Sequence, residues 1–162
     1  MKKIIFWITL LTAIDQVIKL LIARFLMDAE FAIIPFVFTF RTYQNIHLGW
    51  IWNRLDFMMP LYGAVIISIA GIVAAILIYR YFAKLAAKWG KYQRLPTAIL
   101  IFTLSCALCK LIDDIFWGGS LDYIQLFNWF IFDLKDVYAT TAAVLAVYFC
   151  IVHDYARHRR GI

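Results

Sequence analysis

Four long apolar runs, each closed by charged residues, set the pattern of this chain. Phe57 to Tyr79 carries no charge, and Leu95 to Trp117 is uncharged until Lys110, after which Asp113 and Asp114 follow. Ile4 to Phe25 holds Asp15, Gln16 and Lys19 in its middle and far half, and Val137 to Val152 is shorter, bounded by Asp136 and His153. Crossing about 30 Å of hydrocarbon takes roughly 20 helical residues at about 1.5 Å each. All four runs meet that length, the last one if Asp136 and His153 sit at the two interfaces. The pattern therefore predicts one integral membrane domain over residues 1–162, with helices at about 4–25, 57–79, 95–117 and 136–153.

The connection after the first helix breaks the helical pattern. Phe31 to Tyr43 is rich in Phe, Ile, Val and Thr with Arg41 as its one charge, which predicts one or two short strands lying on the membrane surface. The fold class is then an all-α membrane protein of four transmembrane helices with a small extracytoplasmic β-containing segment between helices 1 and 2. The connection after the third helix opens with Gly118 and Gly119 and carries Trp117, Tyr123, Phe127, Trp129 and Phe130, aromatics of the kind that settle at headgroup level.

Composition supports a bilayer as solvent: 65% of residues are hydrophobic and 18% aromatic, with a mean hydropathy of +0.81, far from ordinary soluble domains. The net charge of +6 raises the question of nucleic acid. The cations instead follow topology, in clusters at Lys2 and Lys3, at Arg80, Lys84, Lys88, Lys91 and Arg94, and at Arg157, Arg159 and Arg160. Each cluster flanks an apolar run, so the positive-inside rule places both termini in the cytoplasm and the connections 26–56 and 118–135 outside. Anionic lipid, not nucleic acid, is the expected partner of these clusters. The basic start followed by an apolar run resembles a signal peptide, but Asp15, Gln16 and Lys19 interrupt it and no A-x-A site follows, which predicts a retained first helix.

Charges inside membrane helices are costly unless paired or wetted. Asp15 and Lys19 stand at i and i+4, close enough to pair, and Gln16 can bond a neighbouring helix. That group serves either helix packing or function. A second group is sharper: Asp113 lies about 27 Å along the third helix from Leu95, at the far boundary, and the fourth helix starts at that boundary with Asp136. Two carboxylates sharing one depth can share one proton, which suits hydrolysis with one acid activating water and the other polarising a carbonyl. The bland alternative has Asp136 capping its helix and Asp113 pairing with Lys110. A proton or ion relay through Asp15, Lys19, Lys110, Asp113 and Asp136 is a further reading, although the chain lacks the repeated broken helices of secondary transporters. Cys106 and Cys109 form C-x-x-C without a second ligand pair, so no metal is expected.

Over nearly its whole length the chain resembles the lipoprotein signal peptidases, or signal peptidase II. Asp15, Gln16 and Lys19 match the family's D-Q-x-x-K; Ile34, Pro35 and Phe36 lead toward N-x-G-x-x-[FW], of which Asn45 and Trp50 remain; Leu111, Ile112 and Asp113 look like the end of G-N-x-x-D-R; Asp122, Tyr123 and Ile124 look like V-D-F-I; and Phe132 to Asp136 resembles F-N-x-A-D. The resemblance implies a membrane aspartyl endopeptidase with Asp113 and Asp136 as its dyad. Its substrate would be a lipid-modified precursor protein, a prolipoprotein carrying diacylglyceryl on its lipobox cysteine and cut just before that residue. The implied setting is the bacterial cytoplasmic membrane, with the site at the outer face, no metal or other cofactor, and inhibition by globomycin-type compounds. Phe31 to Trp52 would hold the substrate and the connection after Trp117 would cover the dyad.

The chain departs from the pattern around the site. His47 stands for the glycine after the asparagine, Cys109 and Lys110 for G-N, Asp114 for the arginine, and Asp133 for the asparagine of F-N-x-A-D. Asn45, Lys110, Asp114 and Asp133 would then position water or substrate. Neutral polar partners replaced by charged ones fit an enzyme of altered preference, or a non-catalytic relative that binds or helps assemble lipidated or transmembrane clients.

Overall fold

A computed structural model describes residues 2–46, 60–90 and 92–159. Four helices are long and apolar enough to cross a membrane: α1 (Lys2–Phe25), α2 (Leu61–Trp89), α3 (Leu95–Ile112, continued by a π-helical turn Asp113–Trp117) and α4 (Leu134–Arg159). Their outward faces are apolar, as with Ile66 and Leu77 on α2 and Val144 and Ile151 on α4, all more than half exposed. Such surfaces are stable only against lipid, so the chain is a multi-pass membrane protein.

The helix bounds shift from expectation for readable reasons. The expected start of the second helix at Phe57, like the candidate site residue Trp50 and the departure at His47, lies outside the described residues. That helix runs past Tyr79 to Trp89, because Arg80, Lys84 and Lys88 recur at a spacing of four and all face solvent, which suits a helix leaving the bilayer. It stops at Gly90, whose φ of +69° lets its N–H reach Ala86 O, an αL cap.

At one end of the bundle lies a four-stranded antiparallel sheet in the order β1 (Glu30–Ile34), β2 (Phe38–Asn45), β3 (Ser120–Leu126), β4 (Phe130–Phe132). The connection after the third helix is thus half of the sheet and not only an aromatic loop. β3 is covered on both faces, with Ser120, Leu121, Asp122, Tyr123 and Gln125 all buried, so it lacks the alternation by which strands declare themselves. Ile22 of α1, Phe40 of β2 and Leu121 and Tyr123 of β3 form one core cluster that fixes the sheet to the helices. The other end of the bundle is closed by Phe82 against Phe149, with ring centroids 4.8 Å apart, and by Trp89 stacked on His153 at 4.3 Å.

Candidate active site

Where the sheet meets the helix ends, the polar residues of the apolar runs collect. Asp15 and Lys19 are fully buried on the side of α1 that also buries Ile8, Thr12 and Ile22. Lys19 Nζ lies 3.1 Å from Asp15, 2.6 Å from Asp113 and 2.7 Å from Asp133, so one ammonium gathers carboxylates from three elements. Gln16 Nε2 donates to Asp113 Oδ1 at 3.0 Å and to Asp15 Oδ2 at 3.1 Å, while its Oε1 accepts from Trp117 Nε1 at 3.1 Å. The D-Q-x-x-K segment is therefore a clamp that holds the π-helical turn and the start of α4 against α1.

Asp113 is consumed by this clamp. It is fully buried, and its Oδ2 also accepts from Ser120 Oγ at 3.3 Å and faces Lys135 Nζ at 3.5 Å. Among the described residues it makes no direct hydrogen bond to Asp136, and its shortest ion pair is with Lys19. Nor does Asp113 pair with Lys110, which bonds Asp114 one turn onward. Helical spacing reports depth along an axis, whereas these partnerships depend on which way the side chain turns.

The acids that do converge on Asp136 are Asp122 and Asp133, each placing one oxygen within 4.8 Å of the others. Such a trio could hold a cation, and the positive charges against it here are the Lys135 ammonium, 2.5 Å from Asp133 and 3.5 Å from Asp122, and the Lys19 ammonium, 2.7 Å from Asp133. Asp133 and Asp136 also cap α4 reciprocally: Asp136 N donates to Asp133 Oδ1, and Asp133 N donates to Asp136 Oδ2, both at 3.3 Å. This is the logic of a capping box with a second aspartate at N3. Asp122 is positioned by β3, opposite Tyr43 of β2, and accepts from Ser120 Oγ at 2.7 Å and Asn45 Nδ2 at 3.2 Å. Asn45 is brought there by pairing with Ser120 across the strands.

A cleft of about 1020 Å³ opens beside these groups. Its polar end is formed by Asn45, Lys110, Ser120, Asp122, Lys135 and Asp136, and its apolar length by Ile67 and Ile78 of α2, Ile99 and Cys106 of α3 and Ala139, Ala143 and Ala146 of α4. Asp136, Ala139, Ala143 and Ala146 recur at helical spacing and so share a face. Of these acids, buried Asp122 and the more accessible Asp136 line the cleft, and buried Asp113 and Asp133 do not. Burial pushes the Asp122 carboxyl above the usual carboxylate range, with Lys135 pulling it back and Asp133 adding to the rise. At Asp133 burial acts in the same direction, but Lys135 and Lys19 outweigh it and hold that carboxyl below the usual range. Spacing singled out neither Ser120 nor Lys135. For Lys135 the signal was present in Asp133–Leu134–Lys135–Asp136, where a lysine sits between two aspartates in the first turn of a helix, the end at which a cation is least favoured.

Comparison with known proteins follows the same lines. A family model described as "Signal peptidase (SPase) II" matches residues 7–152. A bacterial membrane enzyme solved by the in meso method at 2.3 Å is 20% identical, with a TM-score of 0.77 over 97% of this chain and 92% of that one. A second bacterial membrane enzyme, solved by the same method at 1.9 Å, is also 20% identical, with a TM-score of 0.68 over 91% of this chain and 92% of that one. A search of curated proteins finds no match.

Proposed function

This chain belongs to the signal peptidase II family of aspartic peptidases, and on that premise we propose that Asp122 and Asp136 are its working pair and that they cut a diacylglyceryl-modified prolipoprotein just before the lipidated cysteine. The observation that carries the assignment is that these two acids both converge and line the cleft. Asp113, the partner that motif spacing suggested, becomes a positioning group bound to Lys19. A gap of up to 4.8 Å between the oxygens is one that a single water spans with two hydrogen bonds of about 2.7–2.8 Å.

The chemistry requires one ionised and one protonated carboxyl. The ionised acid takes a proton from the bridging water as its oxygen attacks the scissile carbonyl, and the protonated acid gives its proton to the carbonyl oxygen. Collapse of the tetrahedral diol breaks the C–N bond. The proton taken from water passes to the leaving nitrogen, and a diol hydroxyl returns a proton to the second acid. The apolar length of the cleft supports a substrate whose signal helix and acyl chains lie in the bilayer. The basic clusters at Lys2, Lys3, Arg80, Lys84 and Lys88 support cytoplasmic termini and a site at the outer face of the bacterial cytoplasmic membrane.

One observation favours a second reading, that of a membrane protein that grips lipidated clients without cutting them: an ammonium already lies against Asp122. Incubation of the purified protein with a diacylated lipobox precursor, read by mass spectrometry, separates the two. Peptidase action gives a new N-terminal lipid-bearing cysteine, formed far more slowly by Asp122→Asn and Asp136→Asn. Client binding that persists with no product in any variant supports the second reading.

A further inference from the structure

Lys135 occupies a place that the cleavage chemistry does not by itself require. As the second residue of α4 it lies where the helix dipole disfavours a cation, and it is 95% buried. Its ammonium nevertheless reaches four groups: it donates to Ser120 Oγ, lies 2.5 Å from Asp133, and lies 3.5 Å from each of Asp113 and Asp122. Lys19 already contacts Asp113 and Asp133, at 2.6 and 2.7 Å, so their neutralisation is shared between the two ammonium groups. What Lys135 adds is its contact with Asp122 and an edge on the cleft.

The surroundings of the two acids are correspondingly unequal. Asp122 receives the Ser120 hydroxyl, the Asn45 amide and the Lys135 ammonium, whereas the Asp136 carboxylate accepts the Asp133 N–H at a longer 3.3 Å. We propose that Lys135 is a positioning residue that polarises the acid pair, making Asp122 the ionised, water-activating member and leaving the shared proton on Asp136. The assignment rests on the reading of Asp122 and Asp136 as the working pair. The other charged or titratable groups around Asp122 are Asp133 and Asp136 from the start of α4, Tyr43 from β2, Asp113 from the π-helical turn behind Ser120, Lys19 from α1 behind Asp133, and Lys110 from α3, the last committed to Asp114.

The test is the pH profile of kcat/KM for a diacylated lipobox peptide, measured on the full chain in detergent for wild type, Lys135→Met and Lys135→Arg. The acidic limb is expected to move up by about one pH unit or more in Lys135→Met, the scale on which a neighbouring opposite charge acts, and further than the alkaline limb, with Lys135→Arg close to wild type. A merely structural lysine would lower the amount of folded protein without moving either limb, and superimposable normalised profiles would overturn the proposal. An infrared difference spectrum between wild type and Asp122→Asn at neutral pH needs neither a folded Lys135 variant nor turnover. It should show loss of a carboxylate band, and loss of a protonated carboxyl stretch would overturn the proposal. Absence of cleavage by wild type would instead sink the peptidase reading, and the infrared result would still judge whether Asp122 is the ionised acid.

Discussion

Lys19 holds Asp15, Asp113 and Asp133 within 3.1 Å while fully buried on the first helix. Removing one member of a buried ion pair leaves uncompensated charge, which typically costs about 3–5 kcal/mol. Lys19→Met should therefore lower thermal stability in detergent by that order, and a melting curve that matches wild type would contradict the clamp. The acids separate by role on the same grounds. Asp122→Asn and Asp136→Asn should reduce kcat by about 10²–10⁴-fold, the usual contribution of a positioned acid or base, with folding intact. Asp113→Asn should act on stability first, its activity per folded molecule falling less than that of either variant. Much of this division was hidden in the sequence. D-Q-x-x-K announced that Asp15 and Lys19 could pair, and position along α3 set the depth of Asp113, but no spacing rule says that Lys19 would reach across to it.

At the level of elements, the site depends on β2 and β3 lying close enough for Asn45 to reach Asp122 at 3.2 Å. Gly119 sets that approach. Its φ is +146°, and a Cβ built there would stand 2.6 Å from Asn45 O. Gly119→Ala must strain the turn or push β2 away, a cost of about 1–3 kcal/mol; a loss of activity exceeding the loss of folded protein would show that Asn45 had moved. Element legibility was uneven. The four apolar runs and the strands near Phe31 to Tyr43 could be read because hydropathy and β-branched content are local properties. β3 could not, since a strand buried on both faces loses its alternation, and its partner β2 lies some 80 residues earlier. For the same reason Asp122 read as one supporting residue among several when it is the acid that β3 delivers to the cleft.

On the scale of the whole molecule, an apolar cleft of about 1020 Å³ joins the acid cluster to the helices, so substrate recognition and lipid exposure belong to one surface. Filling it should weaken binding without touching the acids. Ala143→Trp, two turns along α4 from Asp136, should raise KM for a diacylated peptide by about tenfold or more, as mismatches in hydrophobic pockets do, with kcat largely kept; an unchanged KM would place the substrate elsewhere. The central claim is that Asp122 and Asp136 jointly cut a lipid-modified precursor. Mass spectrometry of a diacylglyceryl-modified precursor incubated with wild type, Asp122→Asn, Asp136→Asn and Asp113→Asn tests it most directly. The account predicts a cut before the lipidated cysteine by wild type, cutting slowed by about a hundredfold or more in each of the first two variants, and a smaller loss in folded Asp113→Asn. Cleavage by Asp122→Asn at the wild-type rate would contradict it.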